Sequence, residues 1–311
     1  IDPEAQDLLY QGDAEKWLKL AYGLKARYTM HLLKRSANKD ADMEKVLEYV
    51  NNSFESAEEQ AAFDVYDANN INPLYGFFVA RAGLGASESM RSKLAEYNDP
   101  RLSRAFITKQ GTSGKEQAPG TADNAVYAPN GTPEQGTSKY GTSLFMYSIS
   151  APTLLLSYHE LKFLEAEALC RLERDAKSAL KDAVVAGFTI SRKELGKTLI
   201  NAASSITEAE AESYFDNTIE AKYTAEPLKT TMTQKYFALW GASGEATESY
   251  NDVRRMKGLG ENFIELKNPN SFPLRCPYGN SDTTTNAEVK AAYGNGQYVY
   301  SENVWWAGGS R

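Results

Sequence analysis

Between residues 152 and 188 the apolar side chains recur every three or four positions, stop at Glu173-Arg174-Asp175, and then recur again. Leu154, Tyr158, Leu161, Leu164, Ala168 and Leu172 line one arm; Ala176, Leu180, Ala183, Val184 and Gly187 line the other. That spacing is helical, and so short a break permits only a turn between antiparallel neighbours. Pro152 suits the first turn of the first helix. Small residues facing large ones across such a pair characterise tetratricopeptide-type hairpins. A weaker pair is expected over 13–50. There Asp13 suits an N-cap, Trp17, Leu20, Ala21, Leu24 and Tyr28 share a face, and Met43, Val46, Leu47 and Val50 share another from about Ala41.

The remaining segments fit the same class. An apolar run, Leu74–Ala80, follows an Asn-rich loop, and a helix near Ser87–Tyr97 ends before Pro100, because proline disfavours helix in the residue ahead of it. Thr207 and Glu210 form a capping-box pattern. Further helices are expected over Thr230–Trp240 and Glu245–Met256, and the chain after Lys257 reads as turns. With no extended series of alternating strands, the fold class is mostly α: tetratricopeptide-like hairpins with long loop insertions. A 311-residue chain that is 42% hydrophobic can bury a substantial core. We read residues 1–311 as a single domain with a loop insertion at about 106–150.

That insertion is dense in Gly, Thr, Ser and Pro. It reads either as a flexible surface loop or as an ordered functional loop, since long structureless loops are uncommon inside compact domains. The interleaved Tyr127, Tyr140, Phe145 and Tyr147 favour the second reading.

Catalytic chemistry finds little purchase. His31 and His159 are the only histidines, and neither has a partner at zinc-ligand spacing on its helix. No nucleophile elbow or phosphate-cradling loop is present. Glu160, Glu165 and Glu167 could supply glycosidase carboxylates, but on a helix with an apolar opposite face they read as a solvated or inter-helix polar face. No metal or cofactor is expected. A net charge of −7 without a basic stripe argues against nucleic acid.

One charged knot stands out near the C-terminus. Glu248 and Asp252 are four apart on a helix, and Arg255 lies three beyond Asp252, within ion-pair reach. We expect these residues to lock two helices together, and Arg275 with Tyr278 to pin the tail to them.

Five motifs then occur in order: Y-x-G-D-x-x-K-W at 10–17, N-D-P-R-L at 98–102, S-Y-x-E-L-K-F-L-E-A-E-A at 157–168, T-Q-K-Y-x-A-L-W at 233–240 with E-x-Y-N-D-x-R-R at 248–255, and P-x-R-x-P-Y at 273–278. Together they resemble the SusD/RagB family. The resemblance implies an α-superhelix of tetratricopeptide-like hairpins and a place on the outer membrane of Bacteroidetes-type bacteria, facing outward through an N-terminal lipid. It implies a SusC-like TonB-dependent transporter as partner and non-catalytic capture of a glycan or other nutrient. The lipidated cysteine and first hairpins that precede Y-x-G-D in the family are absent from this chain. Aromatics that stack on sugar rings and Asn/Asp that bind hydroxyls make Asp123, Asn124, Tyr127, Tyr140 and Tyr147 the candidate ligand contacts. The alternatives are a helical-repeat lipoprotein that binds peptide or protein and, behind it, an all-α glycosidase.

Overall fold

The computed structural model describes residues 6–81, 85–107, 126–131, 140, 142–143, 149–196, 206–241, 244–268 and 270–309. The chain divides into two compact units, residues 1–129 with 134–265 and residues 130–133 with 266–311.

In the larger unit, helix α1 (Ala14–His31) begins where Asp13 accepts hydrogen bonds from the amides of Glu15 and Lys16 at 3.0 and 3.1 Å. Helix α2 (Lys39–Asn51) returns against it, capped by Asn38. Strand β1 (Ala61–Phe63), α3 (Pro73–Arg81), α4 (Glu88–Glu96), the single turn α5 (Arg101–Arg104) and the short strands β2 (Phe106–Ile107) and β3 (Thr142–Ser143) follow. Strand β4 (Thr153–Leu156) then leads into α6 (Tyr158–Arg171) and α7 (Lys177–Gly196). Helix α8 (Glu208–Tyr214) runs through a wide π turn, Phe215–Ile219, into α9 (Glu220–Ala225). The long helices α10 (Pro227–Leu239) and α11 (Ala246–Leu259) complete the unit. The molecule is mostly α, as its apolar periodicity requires.

Pro152 does not open a helix. Residues 153–156 are extended and pair antiparallel with β1, Ala61 opposite Leu156 and Phe63 opposite Thr153. The alternation explains it: Leu154 and Leu156 are fully buried while Leu155 points out, a period of two rather than 3.6. Ser157 ends the strand and caps α6 by accepting the Glu160 amide at 3.1 Å. The capping box at α8 is present, with Thr207 Oγ1 accepting the Glu210 amide and the Glu210 carboxylate accepting the Thr207 amide.

Helix α6 is the axis of the unit. Leu161, Leu164 and Ala168 pack against α1 and α2 with Met30, Val46 and Leu156. Phe163 and Ala166 face the opposite way, into a second cluster with Leu180, Phe188, Phe215 and Phe237 from α7 to α10. Burying each of these Leu, Met, Val and Phe side chains contributes about 1.5–3 kcal/mol. A helix buried on two faces leaves its polar residues no solvent, so they must be paired inside.

In the smaller unit, helices α12 (Asn280–Thr285) and α13 (Ala287–Tyr293) interrupt what the sequence reads as continuous turns. Tyr278 stacks on Tyr293 at 4.3 Å between ring centres, and the Arg275 guanidinium lies 4.7 Å from the Tyr278 ring.

Candidate functional site

The polar stripe of α6 is an ionic frame. Glu160 and Glu167, two turns apart, are both wholly buried. Arg27 of α1 donates through Nε to Glu160 Oε1 at 2.8 Å and through Nη2 to Glu160 Oε2, and also donates to the Leu155 carbonyl at 2.8 Å. Arg255 of α11 grips Glu167 with both terminal nitrogens, Nη2 at 2.8 Å, and donates to Asp252 Oδ1 at 2.8 Å. Buried Lys235 of α10 pairs with the other Asp252 oxygen at 2.8 Å. Arg171 joins Glu167 to Glu261. Glu248 meets His31 of α1 at 2.7 Å. The knot of Glu248, Asp252 and Arg255 therefore ties α11 to α10, α6 and α1 together.

Charge balance sets the protonation states. Burial alone would push the Glu167 carboxyl up; Arg255 and Arg171 outweigh it and hold it well below the carboxylate range. Burial raises Glu245 well above that range, and the nearby Glu160 carboxylate raises it further. His159 is pushed down to about 3 by burial and by the charges of Arg101 and Lys235, so its ring is neutral.

Ser157, His159, Glu160 and Glu245 superficially resemble a catalytic cluster, with Ser157 Oγ 3.3 Å from His159 Nε2. Each is wholly or almost wholly buried. The Ser157 amide donates to Glu245, and the buried Arg27 guanidinium sits between the two carboxyls, bonded to Glu160 and 3.5 Å from Glu245. Carboxyls buried around one guanidinium leave no space for a glycosidic bond between them. These groups fix the junction of β4, α6 and α11, and their spacing in the sequence carries no sign of the partners they meet.

Of the candidate ligand contacts, Asp123, Asn124 and Tyr147 lie outside the described residues. Tyr127 and Tyr140 are buried. The Ala128 amide donates to the Ala86 carbonyl at 2.8 Å and its carbonyl accepts the Glu88 amide at 2.9 Å. This pairing turns Tyr127 inward, edge-on to Phe106 at 5.2 Å.

Two surface openings present chemistry. The larger, about 1050 Å³, is walled by Leu8, Leu9, Trp17, Phe63, Tyr66 and Leu155 and is nearly all apolar. Its Trp17 is held by an indole N–H bond to Asp7 at 2.7 Å and by the edge of Tyr10. That bond and the Gly12 amide lower the Asp7 carboxyl to about 2. The smaller, about 430 Å³, lies beside α8 and the π turn and gathers Asn98, Glu210, Ser213, Tyr214, Asn217 and Thr218. Its backbone is unusual twice over. Asn98 has φ of +49°, and the π turn displaces Asn217 and Thr218 from helical register; π turns recur at functional sites. Amides and hydroxyls converging on one opening suit a polyhydroxylated ligand. No linear motif anticipates this opening, because α8 and the Asn98 loop are more than 100 residues apart.

Residues 2–278 match a family described as starch-binding, associating with outer membrane. The chain is similar to a SusD/RagB family protein of Bacteroides thetaiotaomicron, with 63% identity and a TM-score of 0.88, over 100% of this chain and 68% of that one. A SusD homologue of Bacteroides fragilis (20% identity, TM-score 0.68, 94% and 68% covered) and one of Bacteroides vulgatus (20%, 0.62, 99% and 66%) share the fold. No curated protein matches the chain. The match across residues 2–278 and the 63% identity over the whole length establish that the chain belongs to the SusD/RagB family.

Proposed function

We propose that this protein is a non-catalytic, outward-facing binding protein of the outer membrane. In this reading it is held there by a lipid anchor and captures a glycan for a SusC-like TonB-dependent transporter. The family match over residues 2–278, with its starch-binding description, carries the reading. The opening around Asn98, Ser213, Asn217 and Thr218 supports it, since sugar hydroxyls need such donors and acceptors. Tyr127 and Tyr140 then act as anchors of the insertion, and Asp123, Asn124 and Tyr147 as its ligand contacts. Helices α1/α2 and α6/α7 serve as tetratricopeptide-like hairpins of a single functional unit spanning residues 1–311.

Calorimetry against maltoheptaose, a wider glycan panel and a peptide panel tests this. Micromolar to millimolar glycan binding without hydrolysis products is expected. Binding of peptides alone would replace the glycan reading, and released sugar would defeat the non-catalytic one. The peptide reading has one observation of its own: the apolar opening at Trp17, Phe63 and Leu155 suits apolar side chains better than hydroxyls.

A further inference from the structure

Among the described residues that wall the opening beside α8, Glu210 is the one carboxylate, and no cation stands with it. Its side chain is fixed from two sides. Arg104 of α5 donates to both oxygens, Nη2 to Oε1 at 2.5 Å and Nη1 to Oε2 at 3.0 Å. The Thr207 amide and hydroxyl add bonds to Oε2 at 2.8 and 2.9 Å. The Arg104 bonds, then the Thr207 amide, hold the Glu210 carboxyl at about 2, so it is ionised at any ordinary pH. A carboxylate offers about four lone-pair sites over its two oxygens. Oε2 is saturated, whereas Oε1 accepts Arg104 and can accept one donor more. The walls lie on the α7–α10 side of α6: Tyr97, Tyr214 and Ile219, which back them, belong to the core cluster across that helix from α1 and α2.

We infer that Glu210 sets the specificity of this opening: its carboxylate accepts a hydroxyl of a neutral sugar at Oε1 and turns away sugars that carry a carboxylate or sulfate of their own. The inference deepens the glycan reading and rests on it. A hydroxyl donating to an ionised acceptor makes a stronger bond than one donating to a neutral oxygen. An acidic sugar would set its charge against a like charge with no wall cation to receive it, which costs affinity and so discriminates. The order of the ion pair decides the class of ligand. The capping box fastens Glu210 to the first turn of α8 at the opening, while the guanidinium that balances it belongs to α5 and is not a wall residue. The reverse order would select acidic sugars instead.

Calorimetry on the whole 311-residue protein tests this with a matched pair of probes: maltoheptaose, and maltoheptaose oxidised to the carboxylate at its primary hydroxyls. The wild type should prefer the neutral probe by at least about fivefold at low ionic strength, the worth of an exposed charge contact, and by less at high salt. Glu210→Gln leaves Arg104 uncompensated while Gln still completes the capping box, so the preference should shrink or invert. Arg104→Gln leaves the carboxylate uncompensated, so the preference should widen. Both variants break the same ion pair, and a merely structural role would move the preference the same way in both. Shifts in one direction, an unmoved preference, or an acidic probe bound by the wild type as tightly as the neutral one would each overturn the inference while leaving glycan capture standing. Binding of neither probe by the wild type or either variant would defeat the inference together with starch-like capture at this opening.

Discussion

Glu245 and Glu160 meet at one guanidinium inside the junction of β4, α6 and α11: Arg27 donates to Glu160 at 2.8 Å and lies 3.5 Å from Glu245. Burial raises the Glu245 carboxyl well above its ordinary range and the neighbouring Glu160 charge raises it further, so Glu245 holds a proton above the pH at which a free carboxyl would lose it.

The first prediction follows from the direction of that shift. A folded-state pKa raised above the ordinary value of 4.5 gives a contribution that is fully present below that value and is lost as pH rises toward the folded pKa. Stability of the wild type should therefore fall from pH 5 toward pH 9. Glu245→Gln preserves an acceptor for the Ser157 amide and carries no proton to lose, so its urea-denaturation profile should be flatter and equal or exceed the wild type at pH 9. A variant weaker than wild type at every pH would contradict the assignment.

Glu248 titrates in the opposite sense. Burial would raise its carboxyl, but the His31 bond and the charge of Arg27 win and hold it at about 2. A depressed carboxylate stabilises above its ordinary pKa, and that contribution is lost as pH falls through the folded value. Glu248→Gln should cost about 1–2 kcal/mol at pH 6, less than the bare shift implies because His31 is partly exposed. The gap from wild type should close as the pH approaches 2, as measured by isothermal denaturation across that range.

Buried and exposed arginines should differ sharply. Arg27→Leu strands the wholly buried Glu160 and should cost about 3–5 kcal/mol. Arg174→Ala removes a pair with Glu44 in which both side chains are about half exposed, and should cost under about 1 kcal/mol. Chemical denaturation of the two variants side by side tests the contrast.

Gly244 is tightly constrained by its surroundings. A Cβ there would fall within the carbonyl of Leu154, leaving the residue beside Glu245 no room to move away. Gly244→Ala should destabilise by about 1–3 kcal/mol, as overpacking does, and shift the pH profile because Glu245 is displaced. Calorimetric Tm values at pH 5 and 8 test both effects.

The opening proposed to take a glycan can be tested without disturbing the core. Asn98→Gly suits the positive φ at that position and deletes the amide. Thr218→Val deletes a hydroxyl at nearly constant shape. Each should weaken glycan binding by up to about tenfold, the worth of a hydrogen bond, with unchanged Tm.

The sequence made the local devices visible and the distant pairings invisible. Asp13, Ser87 and the Thr207–Glu210 box act within three residues, so type and spacing suffice to place them. The helical hairpin after Glu173 was legible for the same reason. Strand β4 was not, because its partner β1 lies about ninety residues earlier and Pro152 mimics a helix start. For Glu160 and Glu167 the sequence left a solvated and an inter-helix polar face both open, and the structure bears out the second; the arginines that bind them come from positions 27 and 255. The packing of Tyr127 against Phe106 was not legible either, because aromatic composition does not report which way a ring turns.

The two-stranded pairing of Ala61–Phe63 with Thr153–Leu156 fixes both ends of everything between them. Loop-closure entropy grows only logarithmically, so doubling the intervening chain would cost about 0.6 kcal/mol. The ladder thus works as a clasp around a segment that is itself rooted in the frame, since Leu94 and Phe106 are fully buried in the core and Arg101 donates to the Phe237 carbonyl at 2.8 Å.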